Sequence, residues 1–240
     1  MLKEYTYLLI DLGCILIPLL ASFHPKSPFY KEWKWYLPAN FFVAISFLIW
    51  DAAFTAKGFW GFNEQYLCGV RIYNLPLEEI LFFVCIPYAC LYTFYVWDKY
   101  NLPSLKSTNW LSYSLASILL ILAVSNYNRA YTSITFSSLA LLLLYLQAKK
   151  MNYLGSFFVV YVIILLPFFV SNGLLTGSGL KEPIVWYNDE QNLGIRMLTI
   201  PVEDAFYAML MLLMNLSVYK WLAEKAGGYK TTLKQLLYDQ

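Results

Sequence analysis

The sequence predicts an all-α integral membrane protein with seven transmembrane helices, arranged as two parallel three-helix repeats joined by one connector helix. Composition is the first indication, because 60% of the 240 residues are apolar and only 13% are charged. The second is a series of nearly uncharged runs of about 20 residues, the length that a helix needs to cross a bilayer. The third is an internal repeat, in which residues 69–79 match residues 194–204 at a distance of 125 positions (194 minus 69).

The apolar runs are all predicted to be helices. Only helices and closed barrels satisfy every backbone group in lipid, and these runs lack the alternation of barrel strands. The predicted spans are Tyr5–Phe23, Leu37–Ala56, Pro76–Trp97, Asn109–Ser125, Ala130–Ala148, Tyr153–Leu175 and Pro201–Leu222.

The order of the spans predicts how the two repeats are related. We expect one membrane domain, in which repeat one covers about 1–98, the connector helix about 109–125 and repeat two about 130–222, followed by a polar tail at 223–240. Three spans plus a connector return the chain to its starting side, so the repeats run parallel about a pseudo-twofold axis along the membrane normal. Both copies of the repeated stretch are therefore expected on one face of the membrane.

Lysine and arginine are unevenly distributed between the two faces. The face with the repeated stretch has six and the other face has eleven, which predicts a multi-pass protein of the cell membrane with a cytoplasmic C-terminus. The six are Lys3, Lys57, Arg71, Arg129, Lys181 and Arg196, and the eleven are Lys26, Lys31, Lys34, Lys99, Lys106, Lys149, Lys150, Lys220, Lys225, Lys230 and Lys234.

Several classes of function are excluded by composition. A net charge of +2 is too small to indicate nucleic-acid binding. The single histidine, His24, excludes a bis-histidine haem, and the four cysteines have no metal-like spacing, so we expect neither a metal site nor a cofactor. The first apolar run contains Asp11 and no convincing cleavage site, so it is interpreted as a retained span.

Each copy of the repeated stretch ends on two adjacent acids at the start of an apolar run. Proline at the first helical position and acids in the first turn are typical of ordinary helix starts. However, ionisable groups in membrane helices are costly and usually functional, and here they recur in both halves. A protonated acid beside ionised partners is the arrangement that general acid catalysis needs, although helix N-termini favour the ionised form. The candidate catalytic residues are Glu78, Glu79, Glu203 and Asp204.

The two acids of a pair are expected to have different roles. Consecutive helical residues point about 100° apart, so only one acid of each pair can face a cavity squarely. The other is expected to be held by neighbours or by the arginine seven positions upstream, which is Arg71 or Arg196.

Two further pairs of residues are related by the repeat. Trp60 matches Trp186 within one position, and aromatic faces there could stabilise a cationic intermediate, whereas the other tryptophans fit interfacial belts. Asp51 matches Asn172 near the ends of two spans, where a functional role and helix termination are equally good interpretations. We count all four among the candidate substrate-binding or cation-stabilising residues, together with the two arginines.

At these residues the chain resembles the membrane-embedded lycopene cyclases of bacteria, archaea and fungi. The heterodimeric bacterial members have two three-span subunits, each with a Pro-x-Glu-Glu or Pro-x-Glu-Asp signature, and fused members carry both units in one chain. The corresponding motifs here are Pro76-Leu77-Glu78-Glu79 and Pro201-Val202-Glu203-Asp204.

The resemblance implies an enzyme that closes the linear ends of lycopene into β-ionone rings, giving γ-carotene, β-carotene or both without net redox change. The implied partners are a lipophilic carotenoid substrate, membrane lipid and other carotenoid enzymes. No Gly-x-Gly-x-x-Gly follows a strand, so no flavin site is expected. Two alternatives remain: a small-solute transporter, since parallel three-helix repeats also build transporters, and a cyclase that acts on another carotenoid or forms ε-rings.

Overall fold

The computed structural model describes residues 3–226, and within them the chain forms seven α-helices. Six helical segments are long and apolar enough to cross a membrane, while the connector helix, with 17 residues, is shorter. The helices are α1 (Thr6–Ala21), α2 (Trp33–Ala56), α3 (Leu77–Lys99), α4 (Asn109–Ser125), α5 (Ala130–Ala148), α6 (Leu154–Leu175) and α7 (Val202–Lys225).

The helices agree with the predicted spans, apart from small differences at their ends. Helices α3 and α7 begin one residue after the predicted start, because Pro76 and Pro201 each close a short strand first. Helix α7 continues to Lys225, so the start of the predicted polar tail is helical. The rest of that tail, including the predicted helix end at Gly227-Gly228, lies outside the described residues.

Helix packing has the same pattern in both repeats. Within each repeat the first helix packs on the third, α1 on α3 and α5 on α7. Between repeats the middle helix of one packs on the last helix of the other, α2 on α7 and α6 on α3, and α4 packs on α5. Because the main helix contacts between the repeats occur in matched pairs, the apolar core is shared between the halves, and the fold is that of two parallel repeats.

Short strands in the loops on the motif side connect the two repeats. The sequence predicted helices alone, but each loop contributes one strand to a ladder between the halves and two to a hairpin that leads into α3 or α7. The strands are β1 (Trp60–Phe62), β2 (Arg71–Ile72), β3 (Leu75–Pro76), β4 (Val185–Tyr187), β5 (Arg196–Met197) and β6 (Ile200–Pro201), with β1 paired to β4, β2 to β3 and β5 to β6, all antiparallel.

The register of the β1–β4 ladder locates the pseudo-twofold axis. Gly61 faces Trp186 at the centre of the ladder, and these residues lie 125 positions apart (186 minus 61), the same distance as the acid motifs. Trp60 therefore corresponds to Val185, and the match between Trp60 and Trp186 is one position out of register. A twofold axis through the central pair requires this correspondence.

The two hairpins have the same backbone geometry. Tyr73 and Leu198, again 125 positions apart (198 minus 73), both have a φ of 59° in the left-handed region, which costs a residue other than glycine about 1–2 kcal/mol. The first helical N–H in each half donates to the residue before the hairpin, from Leu77 to Val70 at 2.9 Å and from Val202 to Ile195 at 3.0 Å. The hairpins thus present both acid pairs in matching orientations.

The central pair of the ladder provides a test of this arrangement. A Cβ at position 61 would overlap the indole ring of Trp186. We expect Gly61→Ala to lower the free energy of unfolding by about 1–3 kcal/mol, the usual cost of forcing extra atoms into a packed site. Unfolding followed by helical circular dichroism in detergent micelles measures the change.

The matched control removes the ring instead of adding the methyl group. In the Trp186→Ala background, Gly61→Ala should cost little, so the two substitutions should be coupled in a double-mutant cycle. Equal costs of Gly61→Ala in both backgrounds would show that the ring does not constrain the ladder.

Candidate functional site

Helices from both repeats enclose a cavity of about 240 Å³ directly below the β1–β4 ladder. Its walls are mainly apolar and aromatic, with Trp60 and Tyr187 contributed by the ladder itself. Three carboxyl groups reach it, those of Asp51 from α2, Glu79 from α3 and Asp204 from α7. Chemistry-bearing groups from both halves therefore meet at one site.

The first acid of each pair lies beside this cavity without lining it. Glu78 and Glu203 are both fully buried and turn back towards the loop that precedes their own hairpin. One oxygen of Glu78 accepts a hydrogen bond from the Cys68 backbone N–H at 2.6 Å, and one oxygen of Glu203 accepts one from the Leu193 N–H at 2.7 Å. Cys68 and Leu193 are also 125 positions apart (193 minus 68), so each half uses the same brace.

The second acid of the first pair, Glu79, has a sparse set of partners. Tyr7 of α1 donates its hydroxyl to Glu79 at 2.6 Å. The carboxyl of Asp51 lies near that of Glu79. One oxygen of Asp51 accepts hydrogen bonds from the indole N–H of Trp60 and, at 3.4 Å, from the hydroxyl of Thr55, while its other oxygen is buried without a donor. Two neighbouring carboxyl groups in a poorly hydrated site repel each other when both are ionised, so this pair favours a state in which one of them carries a proton.

The second acid of the other pair, Asp204, has three hydrogen-bond donors. Tyr131 donates at 2.7 Å to one oxygen, while Asn172 at 2.8 Å and Tyr187 at 3.0 Å donate to the other. Burial and the nearby charge of Asp204 raise the pKa of Tyr187 well above its ordinary value, so its phenol stays protonated and remains a donor. An acceptor-only group with three donors is stabilised as a carboxylate.

The charges of the cavity are not balanced by a cation. No lysine, arginine or histidine is among the lining residues within 3–226. The carboxyl groups of Glu79 and Asp204 lie close enough to each other to interact electrostatically. Three ionised carboxylates in a poorly hydrated space would repel strongly. Retaining one proton in the cavity relieves that repulsion. Among the described residues, no group of three or more histidines, cysteines and acids could hold a metal ion.

The two arginines do not pair with the motif acids, so the alternative in which an arginine holds one acid of each pair was wrong, and neighbouring groups hold it instead. Arg71 forms an ion pair with Glu64, and Arg196 forms the equivalent pair with Asp189. Each arginine also donates to a backbone carbonyl in its own hairpin turn. The motif acids are buried below the hairpins, whereas these side chains lie in the loops above them, so the arginines stabilise the loops instead.

The other sequence-derived candidates separate into two groups. Trp60, Asp51 and Asn172 all line the cavity. Trp186 does not, because its side chain covers Gly61 and is 44% exposed. Being one position out of register with Trp60, it lies on the other side of its strand, and this geometry does not favour an interaction with a cation in the cavity.

Four tyrosines at the site were missed by sequence reasoning. Tyr7, Tyr131, Tyr187 and Tyr207 all line the cavity, and three of them contact the acids directly. Tyr7 and Tyr131 lie 124 positions apart (131 minus 7), in the first helix of each repeat. The shift of 125 positions matches Tyr7 with Thr132, but a comparison of the two first helices that allowed one position of offset would have identified the tyrosine pair, since each donates to the second acid of its own half.

The aromatic rings form a continuous wall beside the carboxyl groups. The Tyr131 ring centroid lies 5.1 Å from that of Trp60, 6.0 Å from that of Tyr187 and 6.1 Å from that of Tyr207. The faces of such rings attract positive charge, most strongly where water is excluded. The cavity thus combines closely spaced carboxyl groups with ring faces that attract positive charge.

Comparison with known proteins gives the identity of the family. No curated protein and no solved structure matches the chain. The sequence model of the lycopene cyclase family matches residues 4–97 and 128–222, which are the two three-helix repeats without the connector between them. The matched regions cover well over half of the chain, so the protein belongs to the lycopene cyclase family.

Proposed function

We propose that the protein closes the linear ends of lycopene into β-ionone rings by acid–base catalysis, with Glu79 as the general acid and Asp204 as the general base. The observation that carries this assignment is the unequal environment of the two acids. Glu79 has Asp51 as a carboxyl neighbour that can share a proton, whereas Asp204 accepts three hydrogen bonds. A pair of titratable groups in contrasting environments is the usual basis of an acid and a base in one site.

The reaction begins with transfer of the shared proton to the terminal double bond of the substrate. Glu79 loses the proton and Asp51 remains beside it, while the hydrogen bond from Tyr7 stabilises the new charge on Glu79. Protonation leaves a tertiary carbocation on the substrate. The neighbouring double bond attacks this cation, which closes the six-membered ring and moves the positive charge onto the ring.

The aromatic wall is suited to the cationic stage. Trp60, Tyr131, Tyr187 and Tyr207 line the cavity beside the acids, and their rings are placed to stabilise a cation that has no counter-ion of its own. Exclusion of water by the same rings protects the cation from hydration, which would give an alcohol instead of a ring double bond.

Loss of a proton completes the ring. Asp204 takes a proton from a carbon next to the ring cation, and the electrons of that bond form the new double bond. One proton enters and one leaves, so the reaction is an isomerisation with no oxidant or reductant. The choice of proton decides between β- and ε-rings, and therefore the position of Asp204 over the ring sets the product.

Glu78 and Glu203 have a positioning role in this scheme. Neither lines the cavity, and both accept hydrogen bonds from backbone N–H groups of the preceding loops. Thr132 donates a further hydrogen bond to Glu203 at 2.6 Å. Their function is to fix the direction in which the neighbouring acid points.

The proposed setting is the cell membrane, with the motif-bearing loops on the outer face and the C-terminus in the cytoplasm. The unequal distribution of lysine and arginine supports this orientation. The substrate is then a carotenoid dissolved in the bilayer, and partner enzymes that supply it would act in the same membrane.

Neighbouring acids provide a matched test of the acid and base assignments. We expect Glu79→Gln and Asp204→Asn each to lower cyclisation about 100-fold or more, because general acid–base catalysis contributes factors of that size. Glu78→Gln and Glu203→Gln keep an oxygen that accepts the backbone hydrogen bond, so their losses should stay within about tenfold. The measurement is the yield of cyclic carotenes in lycopene-accumulating cells, at equal amounts of inserted protein.

Two outcomes would contradict the assignment. Full activity in both Glu79→Gln and Asp204→Asn would show that the acid motifs are ordinary helix starts without a catalytic function. A larger loss in Glu78→Gln and Glu203→Gln than in their neighbours would exchange the catalytic and positioning roles.

Isotope labelling tests the proton balance independently of substitutions. Membranes containing the protein and unlabelled lycopene are transferred to heavy water. Because the acid exchanges with solvent between turnovers, one deuteron should be incorporated for each ring that forms, as mass spectrometry of the carotenes would show. Rings without deuterium would mean that the acid regains its proton from the substrate and not from solvent, and would contradict an acid that exchanges with water between turnovers.

A further inference from the structure

A groove of about 890 Å³ runs along the surface of the protein between α1 and α6. It begins at Lys3, just before α1, and follows α1 from Thr6 to Pro18, a rise of about 18 Å at 1.5 Å per residue. Apart from its end at the motif face, the groove is lined almost entirely by apolar side chains, and it opens towards lipid. Its apolar members are Leu9, Ile10, Ile17, Val170 and Leu174.

The groove adjoins the cavity, and the two share part of their walls. Four residues line both, namely Cys14 and Pro18 of α1 with Pro167 and Ser171 of α6. Small groups mark the junction, because Gly13 has open space where a Cβ would project and Ser171 carries only a hydroxymethyl group. A hydrocarbon chain that lies in the groove therefore meets the cavity at a junction of small side chains, with no charged group among the four shared residues.

The corresponding position in the other half is filled. In the repeat, Trp50 of α2 is the residue equivalent to Ser171 of α6, because Asp51 is equivalent to Asn172. The Trp50 ring packs on Tyr207 at 5.2 Å and on Phe54 at 5.7 Å between centroids. The two halves thus differ at this position. The small Ser171 leaves space beside α6, whereas the indole ring of Trp50 fills the equivalent space beside α2.

The volumes indicate what occupies the groove. A cavity of about 240 Å³ lies below the range of about 300–1,000 Å³ that holds drug-sized ligands, so a long linear carotene cannot fit inside it. One end of such a molecule fits beside Glu79 and Asp204, and the remainder needs an apolar channel that leads away from them. The α1–α6 groove has the length, the lining and the connection.

We propose that the α1–α6 groove is the binding site for the unreacted part of the polyene substrate, and that only one end of the substrate occupies the cavity at a time. This inference rests on the proposed function. Because Trp50 blocks the equivalent position in the other half, the two ends cannot be held at the acids together. A second ring then requires the monocyclic product to withdraw along the groove and return with its other end.

The test fills the junction from either helix. Gly13→Trp and Ser171→Trp place an indole where the polyene would pass, and Ser171→Trp gives α6 the residue that α2 has. We expect each to lower the yield of cyclic carotene about tenfold or more in lycopene-accumulating cells, because the reacting end no longer reaches the acids in the right geometry. In variants with residual activity, the ratio of monocyclic to bicyclic product should rise, since the second ring needs a second passage.

Matched controls carry the same indole on neighbouring positions of the same helices. Leu12 on α1 and Leu166 on α6 are 48% and 71% exposed and line neither the groove nor the cavity. Leu12→Trp and Leu166→Trp should stay within about twofold of wild-type activity, as most surface substitutions do. Insertion and helix content are measured for all four variants.

The outcomes separate this inference from the proposed function. A wild-type chain that makes no cyclic carotene would overturn the proposed function itself. If the wild-type chain is active and its Gly13→Trp and Ser171→Trp variants match their controls, the groove is not the binding site of the substrate. The proposed function would stand, and membrane lipid would occupy the groove. If the two indole variants fail to insert, Gly13→Leu and Ser171→Leu replace them, and control-like activity in these overturns the groove equally.

Discussion

A carboxylate at the start of a membrane helix has few partners, and in both halves of this chain it binds a backbone N–H of the loop before it. The bonds from Cys68 to Glu78 and from Leu193 to Glu203 tie each hairpin to its helix. They compensate for the burial of a charge away from water and turn the next residue towards the interior. The position of the cavity and the identity of the acids that line it depend on this pair of contacts.

Much of the fold was predictable because it follows from local and periodic signals. Spans are set by apolar length, and the parallel repeat follows from counting spans between residues 69–79 and 194–204. The separation of roles within each acid pair follows from helix geometry alone. None of these inferences needs knowledge of contacts between distant residues.

The parts that sequence reasoning missed depend on such contacts. The seven-residue spacing made Arg71 one of the candidates to hold an acid of the first pair, but in the fold this arginine forms an ion pair with Glu64 in its own loop. Trp60 and Trp186 were treated as equivalent despite an offset of one position. Because consecutive strand residues face opposite sides of a strand, only Trp60 reaches the site. The four tyrosines of the cavity were missed because aromatic belts at the membrane interfaces already explained the high content of aromatic residues.

Departures from symmetry are as informative as the symmetry. The second acids occupy equivalent places, but Glu79 has a carboxyl neighbour in Asp51 and Asp204 has an amide donor in Asn172. Replacement of a single carboxyl oxygen by an amide nitrogen converts a proton-sharing partner into a hydrogen-bond donor. Two identical halves could not provide both environments.

The connector helix α4 therefore has a consequence beyond topology. By joining the halves covalently, it guarantees that every site is assembled from one copy of each, whatever the expression level or dilution in the membrane. Free three-helix units could pair like with like, giving assemblies with two Asp51-type partners or two Asn172-type partners. Linkage through Asn109–Ser125 disfavours those unproductive pairings. The sequences of the two halves can then diverge after a duplication, as long as the β1–β4 ladder with its central pair of Gly61 and Trp186 is retained.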